Sequence, residues 1–344
     1  MILRFGMRTA FVALAVLGSG CAGAQAQDFY AGKTLTMSTH TGPGGGYDTL
    51  IRLFSRHVAR YLPGAPNVVV VNQPGAGGLS AFNHAGRVAP QDGTFITLVG
   101  QGLMVHEATG QPGMQLSLAA FKWLGNFSQA PNVTAVWHTS KARSFEDTRR
   151  MEVVLGSTGA GSPDAQTPTV YNALLGTKFK VVFGYEGGGA LNLAMERGEI
   201  EGRGTNPWSS YRATFPRAMA EGKIIPLIQI GLKKDQDLPD TPLFLDLVKG
   251  DAEREPVARF LSLTTAVSRP LAAPPGVPED RVAILRRAFD GLMKDQVFLA
   301  EAQRLSIEID PMTGAELQEA VRQILATPKD VIARTQAALE GKGR

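Results

Sequence analysis

The stretch Val68-Val69-Val70-Val71-Asn72-Gln73-Pro74-Gly75-Ala76-Gly77-Gly78 carries the clearest indication of the fold. Four consecutive valines favour a β-strand, predicted over residues 67–72 and expected to be buried on both faces. Pro74 and the glycines after it end the strand in a tight loop. A short helix is predicted to follow over residues 80–88. The stretch is therefore a strand–loop–helix unit of the kind that builds α/β folds.

The same alternation of short strands and helices continues along almost the whole chain. The predicted helices lie at 49–62, 80–88, 165–175, 190–197, 209–221, 279–294, 296–305 and 314–325, and the predicted strands at 33–41, 67–72, 94–99, 133–138, 152–157, 179–183, 200–204, 224–230, 261–267 and 307–309. Such alternation predicts an α/β fold with mostly parallel sheets. Because 344 residues are too many for one small sheet, two lobes with a ligand cleft between them are expected.

The first 26 residues are predicted to be a secretory signal peptide, which implies a periplasmic location. Arg4 and Arg8 precede an apolar run that is shorter than the ~20 residues needed to span a bilayer, and Ala24-Gln25-Ala26 fits a cleavage site. Cleavage would also remove Cys21, the one cysteine of the chain. In the alternative interpretation Cys21 is retained and carries a lipid anchor.

Composition and motifs exclude several function classes. The net charge of +4 is small, and no basic run with interleaved aromatic residues occurs, so nucleic-acid binding is not expected. His106-Glu107 begins like a zinc-binding helix, but no second histidine follows. No serine lies in a G-x-S-x-G elbow, and the mature chain would have no cysteine. No catalytic residue, metal site or cofactor is therefore predicted.

Glycine is concentrated in four loops, which we number 1 to 4. They span residues 42–48, 72–78, 156–162 and 184–189, and each follows a predicted strand. In parallel α/β sheets such loops lie where ligands bind, and glycine exposes backbone N–H groups there. Helix N-termini beside the loops favour anions. None of the loops matches a nucleotide-binding fingerprint, so a carboxylate or a phosphate is the expected kind of ligand.

A second group of candidate binding residues lies on and after the strand predicted near 200–204. Arg203 and Thr205 alternate onto one strand face, and Asn206 stands at its end. An arginine can clamp a carboxylate through two hydrogen bonds. The alternative is that Arg203 lies on the surface and Trp208 in the core. His40, at the end of the first strand beside loop 1, is a further candidate for facing the cleft.

In this order the loops resemble those of the Bug-type periplasmic solute receptors of tripartite tricarboxylate transporters. The matching segments are Pro43-Gly44-Gly45-Gly46-Tyr47-Asp48, Val71-Asn72-Gln73-Pro74-Gly75-Ala76-Gly77-Gly78, Leu155-Gly156-Ser157-Thr158-Gly159-Ala160-Gly161-Ser162 and Tyr185-Glu186-Gly187-Gly188. The resemblance implies a two-lobe, Venus-flytrap periplasmic-binding-protein fold, in which each lobe is a mostly parallel sheet flanked by helices and strands cross between the lobes. Lobe 1 would comprise residues 27–129 and 260–344, and lobe 2 residues 130–259.

The resemblance also implies a function and a binding site. The protein would be a monomeric, non-enzymatic receptor that captures a small organic acid and delivers it to the membrane permease subunits of the transporter. Loops 1 and 3 would hold a ligand carboxylate between them, with support from the neighbouring wall. The residues so assigned are Gly44, Gly45, Gly46, Tyr47 and Asp48 on one side, Ser157, Thr158, Gly159, Ala160, Gly161 and Ser162 on the other, and Asn72 and Ala76 in the wall.

Departures from the family pattern bear on the ligand. Thr41, a further candidate binding residue next to His40, replaces a frequent Phe, and Tyr47 replaces a frequent Thr. Thr205, followed by Asn206, stands where many members have an acidic residue. A carboxylate that binds a ligand amine is therefore not expected there, which makes an amino-acid ligand less favoured than an aromatic or aliphatic acid.

Two other functions are compatible with these residues. The same receptor could present its ligand to a signalling ectodomain rather than to a permease. A hydrolase or lyase acting on a carboxylated substrate is less favoured, because it would need a nucleophile or base with an orienting partner and the sequence offers none.

Overall fold

The computed structural model describes residues 29–341, so the predicted signal peptide and Cys21 lie outside the described residues. The strands are β1 Thr34–Thr39, β2 Asn67–Asn72, β3 Phe95–Leu98, β4 Lys122–Asn126, β5 Asn132–Trp137, β6 Val153–Gly156, β7 Phe179–Val182, β8 Gly202–Pro207, β9 Ile224–Ile230, β10 Pro270–Ala273 and β11 Met312–Thr313. Most of the predicted strands are confirmed within a few residues.

The helices flank two sheets. They are α1 Gly46–Val58, α2 Leu79–Arg87, α3 Leu103–Ala108, α4 Phe145–Arg150, α5 Pro163–Leu175, α6 Gly188–Glu196, α7 Trp208–Thr214, α8 Pro216–Ala220, α9 Phe244–Leu247, α10 Arg254–Thr264, α11 Glu279–Leu292, α12 Gln296–Arg304, α13 Gly314–Leu325 and α14 Lys329–Leu339. Within residues 29–341, none of them is long and apolar enough to cross a membrane. The predicted helix at 209–221 is divided into α7 and α8, because Pro216 cannot continue a helix.

Both sheets are mixed rather than mostly parallel, which corrects the sequence prediction. Sheet A has the order β11-β4-β10-β3-β1-β2 and sheet B the order β7-β6-β8-β5-β9. β1 is parallel to β2 and β3, and β6 is parallel to β7 and β8. β10 is antiparallel to β3 and β4, and β5 is antiparallel to β8 and β9. The reversed strands β5 and β10 are those that enter from the other sheet, so they arrive without the crossover helix that a parallel pair requires.

The valine strand β2 lies at the edge of sheet A, beside β1. Val68 and Val70 pack toward the core of that sheet, whereas the side chain of Val69 faces outward and the residue is 47% exposed. The prediction that this strand is buried on both faces is therefore wrong. β-Branched residues favour extended backbone at an edge as well as in the centre of a sheet, so the run of valines does not report burial.

The strand predicted at 261–267 is also wrong. Residues 254–264 form helix α10 and residues 265–267 a turn of 3-10 helix, and strand β10 follows at Pro270. A buried helix and a buried strand can have the same short apolar run, and the pattern here did not separate them. Likewise, residues 307–309 form no strand, and the short strand β11 begins at Met312.

The two chain segments that connect the sheets lie side by side. The first follows β4 and the second precedes β10. The N–H of Phe127 donates to the carbonyl of Arg269 at 3.1 Å, and the N–H of Arg269 donates to Asn126 Oδ1 at 2.9 Å. The C-terminal helix α14 packs against α5 and α10, so the end of the chain contacts the sheet B side. The predicted lobe boundaries themselves stay a prediction.

Candidate functional site

A cavity of about 60 Å³ lies between the two sheets, at the carboxyl ends of β1, β3, β6 and β8. Both sheets contribute to its walls, as expected for a cleft at a two-lobe junction. Its lining residues are His40, Thr41, Gly46, Tyr47, Gly77, Gly100, Gln101, Asn132, Thr158, Ser162, Pro163, Asp164, Gly188, Arg203, Thr205, Asn206, Pro207 and Arg269.

Two buried arginines face this cavity from different sheets. Arg203, on β8, is 6% exposed, and Arg269, immediately before β10, is 7% exposed. Within residues 29–341 no acidic group lies within 4 Å of either guanidinium. Burying charges without a partner is costly, so the two arginines create a strong local preference for an anion.

Neutral groups hold the two guanidiniums in place. Arg203 donates from one terminal nitrogen to Asn192 Oδ1 at 3.2 Å, and its Nε has no hydrogen-bond partner among the described residues. Arg269 donates to the carbonyl of Ser268 at 2.9 Å, and its guanidinium stacks 4.1 Å from the centre of the Tyr47 ring. Both arginines therefore retain N–H groups for a ligand.

His40 is a neutral member of the cavity wall. Burial lowers the pKa of its imidazole to about 4, a hydrogen bond to the Leu98 carbonyl opposes this effect, and the charge of Arg269 adds to it. Its ring meets that of Tyr47 edge to face at 4.3 Å between centroids. Because the carbonyl of Leu98 can only accept, the hydrogen bond at 3.3 Å requires the proton on Nδ1.

Asp48 lies behind the cavity wall and braces loop 1. Its carboxylate accepts from the N–H of Gly44 at 3.0 Å, from Asn72 Nδ2 at 2.8 Å and from Arg52 Nε at 2.9 Å. Burial raises the pKa of this carboxyl, but the hydrogen bonds from Arg52, Asn72 and Gly44 outweigh burial and hold the pKa below its usual value. These three hydrogen bonds of Asp48 therefore join loop 1, α1 and the end of β2 to one another and do not reach into the cavity.

The glycine loops meet in pairs across the cleft. Loop 1 contacts loop 4, where the N–H of Gly42 donates to the carbonyl of Glu186 at 2.7 Å. Loop 2 contacts loop 3, where the N–H of Gly77 donates to the carbonyl of Thr158 at 3.2 Å. A Cβ on Gly77 would overlap the backbone nitrogen of Ser162. Glycine thus lets the backbones of the two sides touch, and the cleft is closed.

The structure brings half of the predicted site residues to the cavity. Those that line it are His40, Thr41, Gly46, Tyr47, Thr158, Ser162, Arg203, Thr205 and Asn206. Those that stand behind the lining or in the contacts between loops are Gly44, Gly45, Asp48, Asn72, Ala76, Ser157, Gly159, Ala160 and Gly161. In the alternative interpretation, the surface position of Arg203 is wrong, since the residue is buried, whereas the core position of Trp208 is confirmed.

Several lining residues were missed by the sequence analysis. The polar ones are Gln101, Asn132, Asp164 and Arg269. Asp164 follows loop 3 directly, in the first turn of α5, and its position after Pro163 was an available signal. Arg269 was hidden because the strand after it was predicted several residues too early. No group of three or more histidine, cysteine or acidic side chains in the described part of the chain could hold a metal ion.

No protein-family model matches this sequence, and neither does any curated protein. Several solved structures share its fold. The periplasmic binding protein BugD is 19% identical, with a TM-score of 0.71 over 88% of this chain and 96% of its own. Rpa4515 of R. palustris with adipate is 17% identical, with a TM-score of 0.70 over 88% and 97%. MatC of Rhodopseudomonas palustris with bound malate is 19% identical, with a TM-score of 0.67 over 87% and 99%. The predicted fold is confirmed: the chain has the two-lobe α/β fold of the periplasmic solute-binding proteins.

Proposed function

We propose that the protein is an exported periplasmic receptor that captures a small organic acid in its interlobe cleft and delivers it to a membrane permease of the tripartite tricarboxylate type. The observation that carries the proposal is the pair Arg203 and Arg269, two buried guanidiniums that face one cavity and have no acid within 4 Å in the described chain. A ligand carboxylate supplies the charge that each of them lacks.

Three further features support a binding role without a covalent step. The cavity opens at the carboxyl ends of strands, where α/β proteins bind ligands. Loops from both sides close over it through backbone contacts, as in hinge-closing receptors. Adipate and malate, the ligands of two proteins with this fold, are both carboxylates. In this proposal the segments around Phe127 and Arg269 act as the hinge between lobe 1 (27–129 and 260–344) and lobe 2 (130–259), and the monomer is the working unit.

Thermal unfolding with a panel of mono-, di-, tri- and aromatic carboxylates tests the proposal. We expect at least one acid to raise the unfolding midpoint, because a ligand that binds only the folded state stabilises it. Arg203→Gln and Arg269→Gln should each weaken the binding of that acid about tenfold to a hundredfold, since a hydrogen bond to a charged group contributes about 1.5–3 kcal/mol. The matched control is Arg217→Gln, at an exposed arginine of α8, which should bind as the parent does.

Two results would contradict the proposal. One is a panel in which no carboxylate shifts the midpoint of the parent protein. The other is chemical conversion of a bound acid, followed by NMR of the ligand, which would favour the hydrolase or lyase alternative. If both arginine variants still bind the acid as the parent does, only the assignment of Arg203 and Arg269 to the binding site is overturned, and the proposed function is not.

A further inference from the structure

Asp164 is the one acidic residue that lines the cavity in the described part of the chain, and the proposed capture of an acid gives it no role. It lies in the first turn of α5 and is 8% exposed. A carboxylate beside a site for anions weakens the binding of any ligand that is only an anion. Its presence therefore indicates that the ligand carries something besides carboxylate groups.

The carboxylate of Asp164 is short of partners inside the protein. Thr205 donates to Asp164 Oδ1 through its hydroxyl at 3.4 Å, a long hydrogen bond. Burial raises the pKa of this carboxyl, and the charges of Arg203 and Arg269 together with the hydrogen bonds from Thr205 oppose that effect without cancelling it. No cation in residues 29–341 lies within 4 Å of the carboxylate. Since an ionised carboxylate can accept about four hydrogen bonds, Asp164 has acceptor sites left for a group in the cavity.

The charges in the cavity indicate what that group is. His40 is uncharged at neutral pH. With Asp164 in its ionised form, which an ammonium group beside it favours over the neutral form that burial favours, two arginines and one aspartate leave a surplus of one positive charge. A ligand with two carboxylates and one ammonium group matches all three charges. A hydroxyl on the same carbon can also donate to Asp164, but it leaves the charge of the aspartate unbalanced.

We propose that Asp164 determines the specificity of the cleft by accepting a hydrogen bond from an amino group, or less strongly a hydroxyl group, next to a ligand carboxylate. The proposal rests on the proposed function and names the class of acid. The proposal also replaces the sequence expectation that no carboxylate binds a ligand amine near Thr205. Thr205 itself has no carboxylate, but its hydroxyl donates to the carboxylate of Asp164 on α5. The side chains of Asp164 and Thr205 together would form the amine-binding wall.

Matched acids that differ in one substituent test this role. The probes are three trios with the same carbon skeleton: succinate, malate and aspartate; glutarate, 2-hydroxyglutarate and glutamate; propionate, lactate and alanine. We expect the amino member to bind most tightly in at least one trio. Asp164→Asn should weaken its binding about tenfold or more, because a hydrogen bond between two charged groups is lost, and should leave or improve binding of the unsubstituted acid.

The control is Asp240→Asn, at an exposed aspartate, which should keep the preference of the parent. Asp164→Ala gives a second variant that removes the side chain altogether, and the unfolding midpoint without ligand shows whether each variant is folded. An amino or hydroxy acid that binds both folded Asp164 variants as well as the parent overturns the proposal. So does a parent protein that binds none of the six amino and hydroxy acids. Neither result affects the proposed function, which is tested by whether any carboxylate of the panel raises the unfolding midpoint of the parent protein.

Discussion

Single polar side chains decide the shape of the cleft walls, and some of the most important do not face the cavity. Asp48 is one of these: it joins the start of α1 to loop 1 and, through Asn72, to the end of β2. Asn72 in turn donates to the carbonyl of Thr41, which does line the cavity. The presence of Asp48 in the loop motif is thus explained by the backbone it holds.

Asp48→Asn should destabilise the protein by about 1–3 kcal/mol, because the charged acceptor of three hydrogen bonds is lost. Ligand binding should weaken as a secondary effect, since loop 1 loses its brace. Urea unfolding measures the first effect and calorimetric titration the second. Asp330→Asn is the control, because it removes an exposed ion pair on α14, and solvent screens such pairs so that they contribute little to stability. A variant as stable as the parent would show that Arg52 and Asn72 find other partners at no cost.

The buried imidazole of His40 makes stability depend on pH. Its pKa falls from 6.5 to about 4 in the folded protein, so the unfolded chain takes up a proton that the folded protein does not. As the pH falls from about 6.5 toward 4, the free energy of unfolding should therefore decrease, and the total decrease becomes larger the further the pH falls within this range. Above this range the contribution is constant.

Urea unfolding between about pH 7.5 and pH 5 measures this dependence. His40→Gln keeps a donor for the carbonyl of Leu98 but cannot take up a proton, so it should lose part of the decrease. His138→Gln, at a histidine outside the cavity wall, should retain it. An unchanged pH profile in the His40 variant would refute the assignment of the effect to this residue.

At the scale of elements, the local sequence pattern predicted the strand–loop–helix units well. It predicted poorly where each element lies in the fold and what packs against it. The bounds of β9 and α13 agree with the prediction, because a short segment rich in isoleucine and a capping box with regular apolar spacing are local signals. The edge position of β2 and the helical state of α10 depend on what packs against them, and no local signal contains that information.

In the paired loops, a glycine is required where the backbone of the loop on the opposite side of the cleft comes too close for a side chain. Gly77 has a φ of +67° and Gly110 one of +64°, but only Gly77 has atoms of another segment where a Cβ would stand. Gly77→Ala and Gly110→Ala should therefore both destabilise the protein through the positive φ, but only Gly77→Ala adds a steric clash with the opposite loop.

We expect Gly77→Ala to keep the cleft partly open and to weaken ligand binding about tenfold or more, in excess of any effect of Gly110→Ala. Calorimetric titration measures the affinity, and small-angle X-ray scattering shows whether the ligand still reduces the radius of gyration. If both alanine variants bind and close alike, the contact between loops 2 and 3 has no role in closure.

At the scale of the whole molecule, the order of the loops predicted two lobes, but only some of the residues that line the cleft could be predicted from the sequence. Arg203 was accessible from the sequence because it alternates with Thr205 on one strand. Arg269 was not, because it becomes a site residue only where the returning chain enters sheet A antiparallel between β3 and β4. The second half of the proposed anion site is thus a product of topology, and reasoning from neighbouring residues could not reach it.

The placement of the two arginines on different sheets has a consequence for affinity. An open molecule would present two half-sites, each able to hold one carboxylate weakly. Once a ligand with two carboxylates is held by one half-site, closure brings the other half-site to it as an intramolecular step, governed by an effective concentration rather than by the concentration of free ligand. Acids long enough to bridge the lobes would then gain avidity from the closing motion itself, and single carboxylates would gain none.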